Sequence, residues 1–211
     1  LQRDVVIVIE GGRIRSVGGT APAAGRGLID LGGETCLPGL IDAHTHVFAL
    51  SSSEVQQGAE KDSVAARTIR ALTRARKALE YGFTSIRDLN DMGVSAADVD
   101  IRRGIARGLI VGPRMQVSTT GLSVSGAATS RVRPCDGADG CRRAVREAIA
   151  LGADWVKVFG DRGVRRREGI FDDQPTLTLD EMRAVVDEAH RQGRRVAAHA
   201  SGKTSVHLAV A

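Results

Sequence analysis

The stretch PGLIDAHTH, residues 38–46, marks the point at which the pattern of the sequence changes. Before it, two β-branched runs within residues 4–17 flank a two-glycine turn at 11–12, a pattern that predicts a β-hairpin. Residues 28–31 (LIDL), bounded by glycines, predict a further short strand. Residues 1–37 are therefore predicted to form a small all-β element.

After residue 38, short apolar runs that predict strands alternate with amphipathic runs that predict helices. The predicted strands are 40–46, 84–89, 114–118, 155–159 and 195–200. The predicted helices are 61–81, 95–108, 139–151, 179–192 and a last one from 203 to 211. Such units build an α/β fold in which parallel strands either wind a layered sheet or close a barrel. A (β/α)₈ barrel needs eight units and about five are present, so we expect the chain to be an N-terminal fragment.

The composition argues against several classes of protein. The chain has 211 residues and a net charge of +5, but only one Trp, one Tyr and four Phe, which is few for a protein that stacks nucleic-acid bases. No run approaches the ~20 apolar residues of a membrane span. Three cysteines without a C-x-x-C pair argue against a disulfide scaffold and a zinc knuckle, and a reducing cytoplasmic setting fits them best. Because the chain begins at Leu1, the sequence does not decide whether a signal peptide precedes it.

Two histidines close the first predicted strand of the second part. Because side chains alternate along a strand, His44 and His46 project together, with Asp42 on the same face one step deeper. Two adjacent imidazoles suit a divalent transition metal. A bare His-x-His also occurs as a structural pair, so the pattern by itself leaves both interpretations open.

Two further strands carry polar residues with a choice of roles. Lys157 alternates with Val156 and Val158, so it is predicted to point away from the helices. It is either paired or solvated at the strand end, or buried with a lowered pKa, in which case its amine can react with CO₂ to give a metal-bridging carbamate. His199 ends a strand of small residues and is either structural or a ligand.

Several stretches, in order along nearly the whole chain, resemble the amidohydrolase superfamily, in its imidazolonepropionase-like and Xaa-Pro dipeptidase-like branch. They are the first-strand signature at 38–46, GFTSIRDL at 82–89, GPR at 112–114, GADWVKV at 152–158, and the helix and strand at 185–200. The resemblance implies an incomplete (β/α)₈ TIM-type barrel over 38–211 and part of a small β-sandwich over 1–37.

The resemblance also implies a binuclear site with two divalent metal ions, commonly zinc. His44 and His46 would bind the more buried ion, His199 the second, and Lys157, carrying a CO₂-derived carbamate, would bridge both. The family's sixth-strand His and its catalytic eighth-strand Asp lie outside this chain, so we expect the 211 residues alone to be inactive.

The chain departs from its relatives in the loops where substrate would bind. His199 is followed by Ala-Ser-Gly rather than Ala-His-Gly, and the third-strand loop at 123–131 has no His. An arginine cluster at 162–167 follows the lysine strand and is either a solvated loop or an anion site. We predict Arg131, Arg165 and Arg166 as substrate-binding residues.

These features predict a hydrolase that cleaves a C–N bond in a small molecule: an amide, a cyclic amide or a dipeptide. Two alternatives stay open, a non-catalytic binding or scaffold protein of the same fold and a mononuclear deaminase, although deaminases of this superfamily lack the bridging lysine. Neither nucleic acid nor a membrane is an expected partner, a homo-oligomer is allowed, and the expected location is the cytoplasm.

Overall fold

The computed structural model describes most of the chain. The described residues are 5–19, 27–126, 131–161, 166–167, 170–171 and 174–211, the four within 166–171 as backbone only. The chain divides into two compact units, Leu1–Pro38 and Gly39–Ala211.

The first unit contains the predicted hairpin. Strands β1 (Ile7–Glu10) and β2 (Arg13–Val17) pair antiparallel. The turn is made by Gly11 and Gly12 at φ 55° and 73°, left-handed values that side chains disfavour. The sequence therefore predicted this element correctly.

The strand predicted at 28–31 is not formed. In the described residues this segment belongs to neither strand nor helix, and Leu28, Ile29 and Leu31 are all exposed. An apolar run becomes a strand only when it finds a partner and a surface to cover, so its composition misled the prediction.

The second unit alternates strands with helices. Its strands are β3 (Leu40–Thr45), β4 (Phe83–Asp88), β5 (Arg114–Val117), β6 (Leu122–Ser123), β7 (Arg133–Pro134), β8 (Trp155–Phe159), β9 (Arg166–Arg167), β10 (Ile170–Phe171) and β11 (Arg195–His199). Its helices are α1 (Ser52–Gln56), α2 (Val64–Glu80), α3 (Ala97–Ala106), α4 (Gly137–Leu151), α5 (Leu179–Arg191) and α6 (Lys203–Val210), with a 3₁₀ turn at Ala59–Lys61.

Two parallel sheets form the centre of this unit. The first has the order β3-β4-β5 and the second the order β11-β8-β6-β7, and every pair within them is parallel. Parallel neighbours joined through helices are the mark of the α/β class, which confirms the predicted class.

The two sheets are joined where β5 meets β8. The Asp154 backbone N–H donates to the Val117 carbonyl at 2.8 Å, and the Val117 N–H donates back to the Asp154 carboxylate at 3.0 Å. Arg102 of α3 pairs with the same carboxylate. Beside this junction, Trp155 donates from Nε1 to Gln116 Oε1 at 2.8 Å.

Helices cover the outer face of each sheet and enclose two apolar cores. Val156 and Val158 of β8 are completely buried against α4 and α5, as their alternation with Lys157 predicted. The core behind the second sheet includes Leu122, Val145, Val156, Val158, Leu177 and Val185. The core behind the first sheet includes Ile86, Val94, Val99, Ile101, Met115 and Val117.

A disulfide joins Cys135 and Cys141, both buried at the start of α4. The odd cysteine count did not predict this pair. The chain turns between β7 and α4 so that the two Cα atoms lie 4.4 Å apart, within the range that a disulfide spans. Cys36 is free and exposed.

None of the helices in the described part of the chain is both long enough and apolar enough to cross a lipid bilayer.

Candidate metal centre

His44 and His46 lie at the carboxyl end of β3, where the strand carries a bulge. The register with β4 shifts between Asp42 and Thr45. The Asp42 carboxylate accepts a hydrogen bond from the His44 backbone N–H at 3.0 Å. This hydrogen bond lies within the bulge and stabilises it. Bulges next to functional sites re-aim side chains, and here the two imidazole rings meet edge to face with centroids 5.1 Å apart.

Lys157 of β8 brings a third nitrogen to these rings. Its side chain is only 1% exposed, and its Nζ lies 3.3 Å from His44 Nε2 and 5.2 Å from the centre of the Phe159 ring. Gly121 supplies the space for this packing: a Cβ there would lie 2.6 Å from the Phe159 ring and 3.1 Å from Lys157 Cγ. A histidine of the first sheet and a lysine of the second sheet are thus in contact.

Burial and mutual repulsion favour the neutral forms of these groups. Burial, assisted by the positive charge of Arg87, lowers the pKa of Lys157 to about 8. Burial and the charge of Lys157 lower the pKa of His46 to about 4 and lower the pKa of His44 as well. At neutral pH the imidazoles are therefore uncharged, which is the form that binds a metal.

His199 ends β11, opposite Phe159 in the register with β8. Its ring lies 5.7 Å from the Phe159 ring, and its charge contributes to lowering the pKa of both His44 and His46. The structure thus brings His199 within electrostatic reach of the other predicted ligands, at the ends of the strands.

The chemistry of these donors fits a metal ion. His46 Nδ1 is buried without a hydrogen-bond partner in the part of the chain that the structure describes, and such an atom is costly to bury unless a ligand satisfies it. Neutral imidazoles are good ligands for divalent transition metals. Among the described residues, no three His, Cys, Asp or Glu side chains form a metal-binding group.

Arg87 of β4 was not predicted as part of the site. Its Nε donates to the Ala43 carbonyl, its guanidinium carbon lies 4.1 Å from the centre of the Trp155 ring, and its charge lowers the pKa of Lys157 and His44. The available signal was a charged residue one position before the end of the strand.

Asp161, two residues after β8, was also not predicted. It is 4% exposed, and its Oδ1 lies 3.3 Å from His199 Nε2. Ser201 Oγ lies 3.1 Å from the same ring nitrogen. An acidic residue four positions after Lys157 was the signal in the sequence, but its partner depends on which strand lies beside β8.

The structure describes the three predicted substrate-binding arginines to different extents. Arg131 forms an ion pair with Glu60 at 2.7 Å, and its carbonyl accepts from Asn90 at 3.5 Å. Arg165 lies outside the described residues, and Arg166 is described only as backbone in β9. Their roles in substrate binding stay predictions.

The chain belongs to the Amidohydrolase family, whose model matches residues 35–210. It is 30% identical over 214 residues to an ochratoxinase of Aspergillus niger, a match that covers 82% of this chain and 41% of that protein. It is 28% identical over 235 residues to an imidazolonepropionase of Deinococcus radiodurans, covering 93% of this chain and 52% of that protein.

A crystal structure of a prolidase complexed with N-methylphosphonate-L-proline is also similar, with a TM-score of 0.79 and 30% identity, covering 97% of this chain and 53% of that one. The predicted family and its imidazolonepropionase-like and dipeptidase-like relatives are thus confirmed. The chain spans about half the length of the relatives it matches, or somewhat less.

Proposed function

We propose that the full-length protein containing this chain is a metal-dependent hydrolase that cleaves a C–N bond in an amide, a cyclic amide or a dipeptide. The observation that carries the proposal is the buried contact of 3.3 Å between Lys157 Nζ and His44 Nε2. The junction of β5 with β8 supports the inference that both sheets belong to one (β/α)₈ barrel, with the site at the strand ends.

Each predicted ligand would have a separate task at a binuclear site. His44 and His46 would hold one divalent ion, His199 the second, and carboxylated Lys157 both. Zinc suits this set because it binds imidazole nitrogens and carboxylate-type oxygens. Such ions, when bound, lower the pKa of a water molecule and polarise the carbonyl under attack.

Lys157 itself supplies the chemistry of its modification. With a pKa of about 8, part of its population is a neutral amine at neutral pH. The nitrogen lone pair forms a bond to the carbon of CO₂, one C=O π pair moves onto oxygen, and one N–H proton leaves to solvent. The product is a carbamate anion with two oxygens, and the positive charge of Arg87, which lowers the pKa of the amine, favours the negative charge of the carbamate.

The names of the relatives support C–N hydrolysis as the reaction class. An ochratoxinase, an imidazolonepropionase and a prolidase are all hydrolases. The chain departs from its relatives at Ser201, whose Oγ lies 3.1 Å from His199 Nε2, and in its sequence at 123–131, so we propose the reaction class and leave the substrate open. A cytoplasmic location and a homo-oligomer stay predictions from the sequence.

The proposal is tested on the purified full-length protein by elemental analysis and by a panel of N-acyl amino acids, Xaa-Pro dipeptides and cyclic amides. We expect about two divalent ions per chain and hydrolysis that a chelator abolishes and zinc restores. His44→Asn should lose metal and activity. His190→Asn, which changes an exposed histidine of α5, should lose neither.

A non-catalytic protein of the same fold is the second candidate. It is favoured by the absence, in the described residues, of three His, Cys, Asp or Glu side chains in a metal-binding group. Fewer than one ion per chain, together with no hydrolysis in the panel, would support this candidate and contradict the hydrolase.

A further inference from the structure

Asp161 connects three elements around the site. It follows β8 directly after Gly160, and its buried Oδ2 accepts hydrogen bonds from the backbone N–H groups of Ser201 and Gly202 at 2.6 Å and 3.0 Å. The Ser205 hydroxyl donates to the same oxygen. One oxygen of the carboxylate therefore holds the start of α6, immediately after the strand that ends in His199.

The other oxygen of Asp161 faces the His199 ring. Oδ1 lies 3.3 Å from Nε2. Because an ionised carboxylate can only accept, this contact favours the tautomer with its proton on Nε2. The electron pair of the neutral ring then lies on Nδ1.

The Ser201 hydroxyl, 3.1 Å from the same nitrogen, can in principle act in either direction. If it donated to Nε2, the Asp161 oxygen would face the lone pair of that nitrogen, which is repulsive. If Nε2 carries the proton, both oxygens act as acceptors. The arrangement with a protonated Nε2 is therefore the one that satisfies all three groups, with the charged acceptor contributing most.

We propose that Asp161 is a positioning residue that keeps the proton of His199 on Nε2, so that Nδ1 would be the nitrogen of His199 that is available to a metal ion. The proposal rests on the proposed function for the identity of the ligand. The tautomer itself exists in the metal-free protein and can be measured there. Asp161 also ties the strand of Lys157 to the strand of His199, so one side chain sets both the position and the protonation of this ligand.

The substitution that tests this is Asp161→Asn. Its carbonyl oxygen can replace Oδ2 and accept from the same three donors, Ser201, Gly202 and Ser205, while its NH₂ group faces His199 Nε2 and donates to it. The helix start is then retained, but the proton of His199 is transferred to Nδ1, as in other sites where Asp→Asn selects the wrong imidazole tautomer.

The first readout is ¹⁵N NMR of histidine-labelled, metal-free full-length protein at a pH where the imidazole is neutral, with His199 assigned from a His199→Gln sample. We expect the Nε2–H tautomer in the wild type and the Nδ1–H tautomer in Asp161→Asn. The second readout is zinc affinity by chelator competition, where we expect a loss of roughly 10- to 100-fold at one of the two ions.

Two variants serve as controls. Ser205→Ala removes a donor to Oδ2 only and should keep both the Nε2–H tautomer and the zinc affinity. Ser201→Ala removes the competing hydroxyl and should also keep the tautomer. If Ser201→Ala changes the tautomer and Asp161→Asn does not, Ser201 sets it and the proposal is wrong.

The wild-type spectrum keeps the proposal decidable even if Asp161→Asn fails to fold. A wild-type His199 with its proton on Nδ1 overturns the proposal, whatever the protein binds. A wild type with the Nε2–H tautomer but no bound metal supports the role of Asp161 in setting the tautomer and contradicts the proposed function instead.

Discussion

Lys157 carries an ionisable amine at a position that is almost completely buried. A lysine that is 1% exposed has lost nearly all of its hydration. Among the described residues, its Nζ lies near a histidine nitrogen and an aromatic ring, and no carboxylate forms an ion pair with it. A buried amine without a counter-charge costs stability. Such a cost is commonly retained where the group has a function.

We therefore predict that Lys157→Met separates stability from activity. Methionine is unbranched, one heavy atom shorter than lysine and uncharged, so the free energy of unfolding should stay the same or rise. Metal content and hydrolytic activity should fall, the latter by at least ~10²-fold, because a ligand matters more than the groups that only orient ligands. Denaturant unfolding, elemental analysis and kcat/KM measure the three quantities.

Lys77→Met is the matched control for this substitution, because Lys77 is exposed on α2. It should leave all three quantities unchanged. Full activity in Lys157→Met would contradict the role proposed for the lysine.

A second residue-scale prediction concerns Asp98, a completely buried carboxyl at the start of α3. Burial and the nearby charge of Asp91 raise its pKa from 3.8 to about 7, although the N–H groups of Thr119 and Val99 oppose the shift. Burial likewise raises the pKa of Asp88. Between about pH 4 and pH 7 the folded state therefore binds more protons than the unfolded state.

Stability should accordingly fall as pH rises through this window and level off for Asp98 above about pH 7. The expected loss is on the order of 2–4 kcal/mol, at about 1.4 kcal/mol per pKa unit. Denaturant unfolding at several pH values measures it. The slope should be shallower in Asp98→Asn, and an unchanged slope would assign it to other groups.

At the scale of single elements, α5 offers a test of local stability. Thr178 accepts from the Glu181 backbone N–H, and the Glu181 carboxylate accepts from the Thr178 N–H and from the Gly137 N–H at the start of α4. Thr178→Ala should lower the free energy of unfolding by about 1 kcal/mol. Thr178→Ser keeps the hydroxyl and should lie within a few tenths of the wild type; equal losses in both would show that the hydroxyl is not what matters.

Elements with a strong internal pattern could be predicted from the sequence, and those defined by their neighbours could not. The strand predicted at 155–159 is β8 to the residue, because valines facing the helices alternate there with polar or aromatic residues. The two-residue strands β6 and β7 were not predicted, because they exist only through pairing. The bulge after Asp42 depends on the register with β4 and likewise has no signal within its own strand.

The same division applies to the candidate site. His44, His46 and His199 could be proposed because each lies at or near the end of a predicted strand, and Lys157 because it alternates with two apolar valines in its strand. Asp161 could not, because it lies beyond β8 and its contact with His199 depends on the path of the chain after the strand ends.

At the scale of the whole molecule, the junction of the two sheets determines whether β3 and β8 can share a site. Asp154 makes this junction with its backbone and its carboxylate together. Asp154→Ala should cost about 1–3 kcal/mol, since the Val117 N–H and Arg102 lose their partner. It should also weaken zinc binding, because Lys157 lies three residues further along.

Denaturant unfolding and chelator competition measure these two effects. Asp139→Ala, at a fully exposed position of α4, is the comparison and should change neither. Loss of stability with unchanged zinc affinity would show that the site does not depend on this junction.

Trp155, stacked on Arg87 and lying 5.8 Å from the Arg195 guanidinium carbon, is the only tryptophan of the chain. It lies two residues before Lys157, and the two cations near its ring come from β4 and β11. The tryptophan fluorescence of this chain therefore comes from Trp155 alone. The protein carries its own optical probe at the strand on which the chemistry depends, and its emission should report any loss of that strand's packing without a label.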